Sequence, residues 1–293
     1  MNSATVTDVI TDEQAAFYHE NGYLVLPGAL APAELARVQD ATAQMLETAR
    51  PGLPDHNYRD GVLGRIDYVV DKHPAMRALL AHPFILRTTE KLMGPDLFPT
   101  WDAMVVKMPG RGVAVPWHRD AATDKVGDKP IFNVDFYLDE ATEQNCVWVL
   151  PGTHRWPRER ADAWIRENHR YDLTVDDYRA TSGALPALMQ PGDVLLHDIQ
   201  VLHGSPTSHA KSLRRVVYYE FRTAHVEAER GPHTPAYIPL KQAVLTGCLQ
   251  TRQTAGYALP GETPFVYNPP APFNTGYGDD PPTYRYVHSE YWR

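Results

Sequence analysis

Two histidines and one carboxylate carry the chemistry that is legible in this chain. His118-Arg119-Asp120 sets an imidazole and a carboxylate two residues apart, and His203 offers a second imidazole far downstream. Such a set can form a facial triad, which leaves positions open on a ferrous ion for oxygen chemistry. Residues i and i+2 of an extended segment project to the same side, so His118 and Asp120 can reach one metal. With 13 histidines, about one His-x-Asp triplet is expected from composition alone. A surface histidine beside an aspartate is therefore the competing reading, and a lone His203 is ordinarily a hydrogen-bonded turn or core residue.

Arg214 opens the apolar run Val216-Val217-Tyr218-Tyr219. An arginine entering a hydrophobic strand needs a partner, because burying its charge unpaired costs several kcal/mol. Its fork geometry suits a carboxylate, from the protein or from a co-substrate. Arg215 should point to the opposite face and into solvent.

The elements that must position these groups follow from patterning. Thr11-Asp12-Glu13 caps a helix that Asn21-Gly22 stops, followed by a short strand at 23–26. Helical spacing marks 30–49, and a further helical stretch covers 73–93. Residues 1–95 thus read as a mostly helical support. From about residue 97 the texture changes to short strands at 103–108, 113–116, 131–138, 147–150, 193–197 and 216–222. Pro-Gly pairs at 109–110, 151–152 and 191–192 suit tight turns between them. A mainly β domain with flanking helices is expected, its 96–225 core a sandwich or jelly roll with a helical insertion at about 155–188. The tail 226–293 is rich in Pro and Tyr (Pro269, Pro270, Pro281, Pro282, Tyr284, Tyr286, Tyr291). It is too aromatic for simple disorder and should pack on the barrel or on a second subunit, as in a homodimer.

Composition narrows the setting. The chain has 293 residues and 43% hydrophobic content, enough to bury a full core as one domain. A formal net charge of -8 argues against nucleic acid or an anionic membrane as partner. No apolar run approaches the roughly 18 residues of a membrane span, and the opening MNSATVTDVITDEQ does not read as a signal peptide. Two isolated thiols, Cys146 and Cys248, make no disulfide framework, so a reduced cytoplasmic setting is the default.

Several ordered motifs resemble those of the phytanoyl-CoA dioxygenase family of Fe(II)/2-oxoglutarate dioxygenases. The run from Thr11 to Leu26 is similar to that family's opening helix and strand, and Lys107-Met108-Pro109-Gly110 to its turn before the metal motif. Asn145-Cys146 through Pro151-Gly152-Thr153-His154 matches its Asn-Gly…Pro-Gly-Ser-His signature, with Cys146 where Gly is usual and Thr153 where Ser is common. Pro191-Gly192-Asp193, His203-Gly204-Ser205 and Arg214 follow at family spacing. The likeness spans about residues 10–225.

The resemblance implies a double-stranded β-helix holding iron through His118, Asp120 and His203. It also implies 2-oxoglutarate as co-substrate with dioxygen, its distal carboxylate on Arg214. Lys107 would assist there, unless it snorkels to the surface. Asn133 would face the co-substrate and Asp135 the substrate, unless both are edge-strand polar residues. Trp117 and Trp148 would wall the pocket, although large aromatics are more often plain core. His154 is expected to stabilise its own turn and His197 its own strand. The reaction implied is oxidation of an unactivated C–H of a small organic molecule, such as a natural-product intermediate. Hydroxylation leads, with desaturation, epoxidation or cyclisation as variants; a carboxylate at 120 disfavours halogenation. Substrate determinants should sit around 57–65, in the 155–188 insertion and in the tail. The alternative is a jelly-roll metal enzyme or binding protein that does not use 2-oxoglutarate. A hydrolase fails for want of a G-x-S-x-G elbow, and Gly110-Arg111-Gly112 lacks the third glycine of a dinucleotide loop.

Overall fold

Helix α1 (Asp12–Asn21) begins where the Thr11 hydroxyl accepts from the Gln14 amide and the Gln14 side chain accepts from the Thr11 amide. This reciprocal cap satisfies two otherwise orphaned donors. The helix ends at Gly22, whose φ of 78° is open to glycine and whose missing side chain leaves room for the His154 ring. A computed structural model describes residues 8–120, 131–254 and 256–274. Strand β1 (Tyr23–Leu26) and helix α2 (Pro32–Thr48) follow, the helix burying Val38, Ala41 and Met45.

The support is less helical than the sequence suggested. Strands β2 (His56–Arg59) and β3 (Val62–Asp67) form a hairpin over Asp60-Gly61, both at positive φ (51° and 74°). That is the turn chemistry that matches strand twist. The stretch 73–93 read as one helix is two, α4 (Pro74–Leu80) and α5 (Pro83–Met93), preceded by the short α3 (Val69–Lys72). Pro74 and Pro83 each start a helix, because proline lacks the N–H needed further in and pushes its predecessor out of the α region.

The remaining strands are β4 (Leu97–Lys107), β5 (Val115–His118), β6 (Phe132–Tyr137), β7 (Val147–Leu150), β8 (Leu185–Ala187), β9 (Val194–Asp198), β10 (Leu202–Ser205) and β11 (Arg214–Thr223). A seven-stranded sheet runs β1-β9-β6-β11-β4-β3-β2, and a four-stranded sheet runs β5-β10-β7-β8. Their named pairings are antiparallel. This is the expected jelly roll with flanking helices. Between β7 and β8 lie α6 (Arg158–Asn168) and α7 (Val175–Ala180).

Alternation sorts the two faces of β11. Val217, Tyr219 and Phe221 join the helix-covered core, while Arg214, Val216, Tyr218 and Glu220 face a cavity between the sheets. Arg215 is a correction. It is buried, taking both Asp139 oxygens at 2.8 Å, with Gln39 O and Thr42 Oγ1 each at 3.0 Å. The outer face of the large sheet lies under α2, so no solvent is available there.

After β11 the chain forms α8 (Ala224–Arg230) and α9 (Tyr237–Thr254), α9 packing on α4 and β4. Tyr284, Tyr286, Tyr291, Pro281 and Pro282 lie outside the described residues. Arg252 of α9 is buried and bonds Glu34 of α2 at 2.7 Å, Glu262 at 2.7 Å and Ala78 O at 2.8 Å. Burial pushes the Glu34 carboxyl up, but His82 and Arg252 outweigh it and hold it at about 2, against an ordinary 4.5. Its contribution is therefore full above about pH 4.5 and disappears as pH falls toward 2. Arg252→Ala leaves the buried Glu34 with His82 alone and strips the largely buried Glu262 of its cation, and urea denaturation at pH 7 should show a loss of about 3–5 kcal/mol.

Candidate active site

The centre is built on one cross-strand pair. His118 ends β5 and His203 lies directly opposite on β10, their ring centroids 4.2 Å apart. Each Nδ1 meets a carbonyl two residues back: Pro116 O at 2.8 Å for His118, Val201 O at 3.0 Å for His203. A carbonyl only accepts, so in the neutral form of each ring the proton sits on Nδ1 and Nε2 offers its lone pair. Asp120 is held just beyond β5 by its amide, which donates to Ile199 O at 2.9 Å. Its Oδ1 lies 3.4 Å from His118 Nε2 and 3.7 Å from His203 Nε2. One ligand atom from each of the three falls within 4.8 Å of the others, close enough to hold a metal ion.

Protonation favours ligation at Asp120 and His203, whereas at His118 burial is outweighed by Asp120, which pushes that imidazole up, so a metal must displace its proton. Burial resists the Asp120 carboxylate, yet His203, His118 and His197 hold it well below the usual range. Burial and the neighbouring His118 lower His203 to about 3. A carboxylate and a neutral imidazole are the forms a metal requires. The other Asp120 oxygen, Oδ2, accepts from Asn133 Nδ2 at 2.9 Å and lies 3.5 Å from His197 Nε2. His197 Nδ1 is 3.0 Å from Asp135 Oδ2. Burial opposes an imidazolium at 197, but Asp135 and Asp120 more than offset it, pushing the group up to about 10.

These groups face a cavity of about 810 Å³ between the sheets. At one end Lys107 of β4 and Arg214 of β11 are direct neighbours in register, both buried. Lys107 Nζ donates to Val113 O and Pro206 O, and Arg214 Nε to Asn145 O at 3.1 Å. Among the described residues no carboxylate lies within ion-pair distance of either. Burial, and for Lys107 also Arg214, pushes the Lys107 ammonium well below its ordinary value and lowers Arg214. The Tyr137 hydroxyl also lines this end and is buried with no partner among the described residues. Two buried basic side chains and one idle hydroxyl fit an incoming carboxylate.

A family model described as Phytanoyl-CoA dioxygenase (PhyH) matches residues 18–216. The chain belongs to the phytanoyl-CoA dioxygenase family. It is accordingly an Fe(II)/2-oxoglutarate-dependent dioxygenase. It is 22% identical over 236 residues to the peroxisomal phytanoyl-CoA dioxygenase of Bos taurus, covering 74% of this chain and 70% of that one. The structure of AviO1 from Streptomyces viridochromogenes is 26% identical with a TM-score of 0.58, covering 71% of this chain and 93% of AviO1. EctD from S. alaskensis, solved with 2-oxoglutarate and 5-hydroxyectoine, shares the fold at a TM-score of 0.61 and 21% identity, covering 74% of this chain and 77% of EctD.

Other residues singled out from the sequence of this family member divide. Asn133 and Asp135 line the cavity, but both are engaged, with Asp120 and His197 respectively. Trp117 and Trp148 are corrections, since neither lines the cavity. They pack with Tyr178 on the far side of the small sheet, as alternation demands once His118 and Val149 face inward. His154 reaches beyond its turn to His19 O at 3.2 Å. The 57–65 hairpin and Tyr171 of the 155–188 insertion do line the cavity, and Arg59 stacks over the Tyr171 ring at 3.5 Å across its mouth.

Tyr137, His197, Tyr218 and Glu220 escaped notice as site residues. Counting by twos from Arg214 or from Asn133 reaches three of them; His197 needs the β9–β6 pairing. Tyr137→Phe should weaken 2-oxoglutarate binding by about 2- to 12-fold for one lost hydrogen bond. It should not lower the melting temperature of the protein without ligand, because it removes an unsatisfied buried hydroxyl. Co-substrate titration and thermal melts together check both signs.

Proposed function

We propose that His118, Asp120 and His203 hold the ferrous ion, that Arg214 receives the distal carboxylate of 2-oxoglutarate, and that an unactivated C–H of a small organic molecule is hydroxylated. One observation carries this reading. Two imidazole nitrogens and a carboxylate oxygen converge on the same cavity that two buried, carboxylate-free basic side chains enter from the side. Iron bound there with its keto acid supplies the activation of dioxygen, as 2-oxoglutarate is oxidised to succinate and carbon dioxide.

The chain's own residues do the rest. Arg214 orients the co-substrate through its fork, Lys107 adds positive potential, and Tyr137 can donate to the same carboxylate. Asp120 stays ionised and His203 neutral through the ordinary pH range, so neither needs deprotonation before metal binds. The wider half of the cavity, floored by Trp101, Tyr218 and Glu220, is roofed by the β2–β3 hairpin. Its size suits a drug-sized molecule, which favours a natural-product intermediate as substrate. Arg59 and Tyr171 narrow the entrance and help keep bulk water from the centre. A reduced cytoplasmic setting fits the two free, buried cysteines, and no helix among the described residues is long and apolar enough to cross a membrane.

Succinate release with Fe(II), with and without 2-oxoglutarate, tests the reading directly. His118→Ala is expected to abolish release while circular dichroism stays native; wild-type turnover in that variant would remove the metal assignment. Arg214→Ala should raise the 2-oxoglutarate KM by about 30- to several-thousand-fold, corresponding to roughly 2–5 kcal/mol for truncating a buried charge pair. An unchanged KM would give Arg214 another role.

A further inference from the structure

The two oxygens of Asp120 are treated differently by their surroundings. Oδ1 faces the paired imidazoles, whereas Oδ2 is approached by Asn133 Nδ2 at 2.9 Å and His197 Nε2 at 3.5 Å. These two nitrogens lie 3.2 Å apart, in contact with each other and both beside that one oxygen. Strand pairing makes the arrangement rigid. Asn133 of β6 sits directly opposite His197 of β9, and Asp135, two residues along the same face, lies 3.0 Å from His197 Nδ1. Asn133, Asp135 and His197 are all buried.

We infer that Asn133, His197 and Asp135 form a clamp on the outer oxygen of Asp120, so that this ligand gives the metal one oxygen only. Asn133 and His197 are positioning residues here, and Asp135 orients the His197 ring. The reason lies in the number of open positions. A facial triad leaves three sites on a six-coordinate ion; a chelating keto acid takes two, and one remains for gas. A carboxylate free to swing its second oxygen inward would compete for one of them. Asn133 thus serves the metal ligand, not the co-substrate, and Asp135 acts at one remove from the substrate. The inference rests on the reading of His118, Asp120 and His203 as the metal site.

Isothermal titration of the metal-free, full-length protein with Mn(II), followed by 2-oxoglutarate, tests it without turnover. His197→Phe and Asn133→Leu should each weaken Mn(II) binding by about 10- to 100-fold and further weaken 2-oxoglutarate binding to the Mn(II)-loaded protein. His197→Gln, which keeps a donor, should recover Mn(II) affinity to within about 3-fold of wild type. Asp135→Asn leaves the ring in place and should give an intermediate loss; it carries the test if the Phe variant fails to fold. Wild-type Mn(II) affinity in folded His197→Phe and Asn133→Leu would overturn the clamp. His118→Ala separates the two readings: loss of Mn(II) binding in His118→Ala alone leaves the metal site standing without a clamp, and retained binding in His118→Ala removes the metal site itself.

Discussion

The structure depends on the cross-strand pair of His118 and His203. Two imidazoles with centroids 4.2 Å apart would repel if both were charged; burial and the adjacent His118 keep His203 neutral, and each Nδ1–carbonyl bond fixes its own ring. The pair requires β5 and β10 to lie close at that point, just before the register shifts between His203 and Ser205. Gly204 shows how close. A side chain there would come within 2.5 Å of the Tyr178 hydroxyl and 3.0 Å of Val115 O. Tyr178 in turn donates to that same carbonyl at 3.0 Å. The glycine after His203 is thus required by the approach of a strand and a tyrosine, and the tryptophans at 117 and 148 seal the outer face that this approach creates.

The large sheet contributes charge instead of close contact. Along the inner face of β11, Arg214 and Glu220 mark opposite ends of one cavity, with Val216 and Tyr218 between them. The Arg214–Lys107 end is electrostatically unfinished by the described residues alone. A buried cation pair raises the free energy of the folded chain, and an anion bound there lowers it again, so ligand affinity and fold stability are linked at this end. The helical layer on the opposite face allows this, since Arg252, Glu34 and Glu262 and the Arg215–Asp139 pair lock the helices to the sheet and to one another.

Much of this was legible in one dimension. The convergence of His118, Asp120 and His203, the inward face of Arg214 and the jelly roll could be read because each depends on short motifs whose spacing follows strand and turn lengths. What escaped was of two kinds. Some features had a local signal that was passed over: Asp60-Gly61 announces a hairpin, Pro74 and Pro83 announce helix starts, and the alternation that turns His118 inward turns Trp117 outward. Other features have no local signal. His197 meets Asp135 only because β9 pairs with β6, and Arg215 is buried only because α2 crosses the outer face. In 226–293 an average composition rich in Pro and Tyr hid α9, whose own eighteen residues contain a single proline.

The cavity's two substrate-facing walls differ in stiffness, and this bears on where specificity resides. The floor is anchored. Glu220 accepts from the Thr100 hydroxyl and lies 3.6 Å from Arg222, which is itself buried against Glu227. Breaking any of these leaves a charge stranded in a dry place, at a cost of several kcal/mol. The roof is an edge hairpin whose β2 strand alternates between partly buried and exposed residues, closed by an Arg59–Tyr171 contact in which both side chains reach solvent. An exposed cation–π contact contributes only about 0.5–1 kcal/mol. Changes at 57–65 or at 171 can therefore alter what enters without disturbing the metal centre, whereas changes at 220 or 222 put the barrel itself at risk. The rim is the part of the site free to vary, and the floor is constrained by the same buried charges that hold β4 and β11 against α8 and α9.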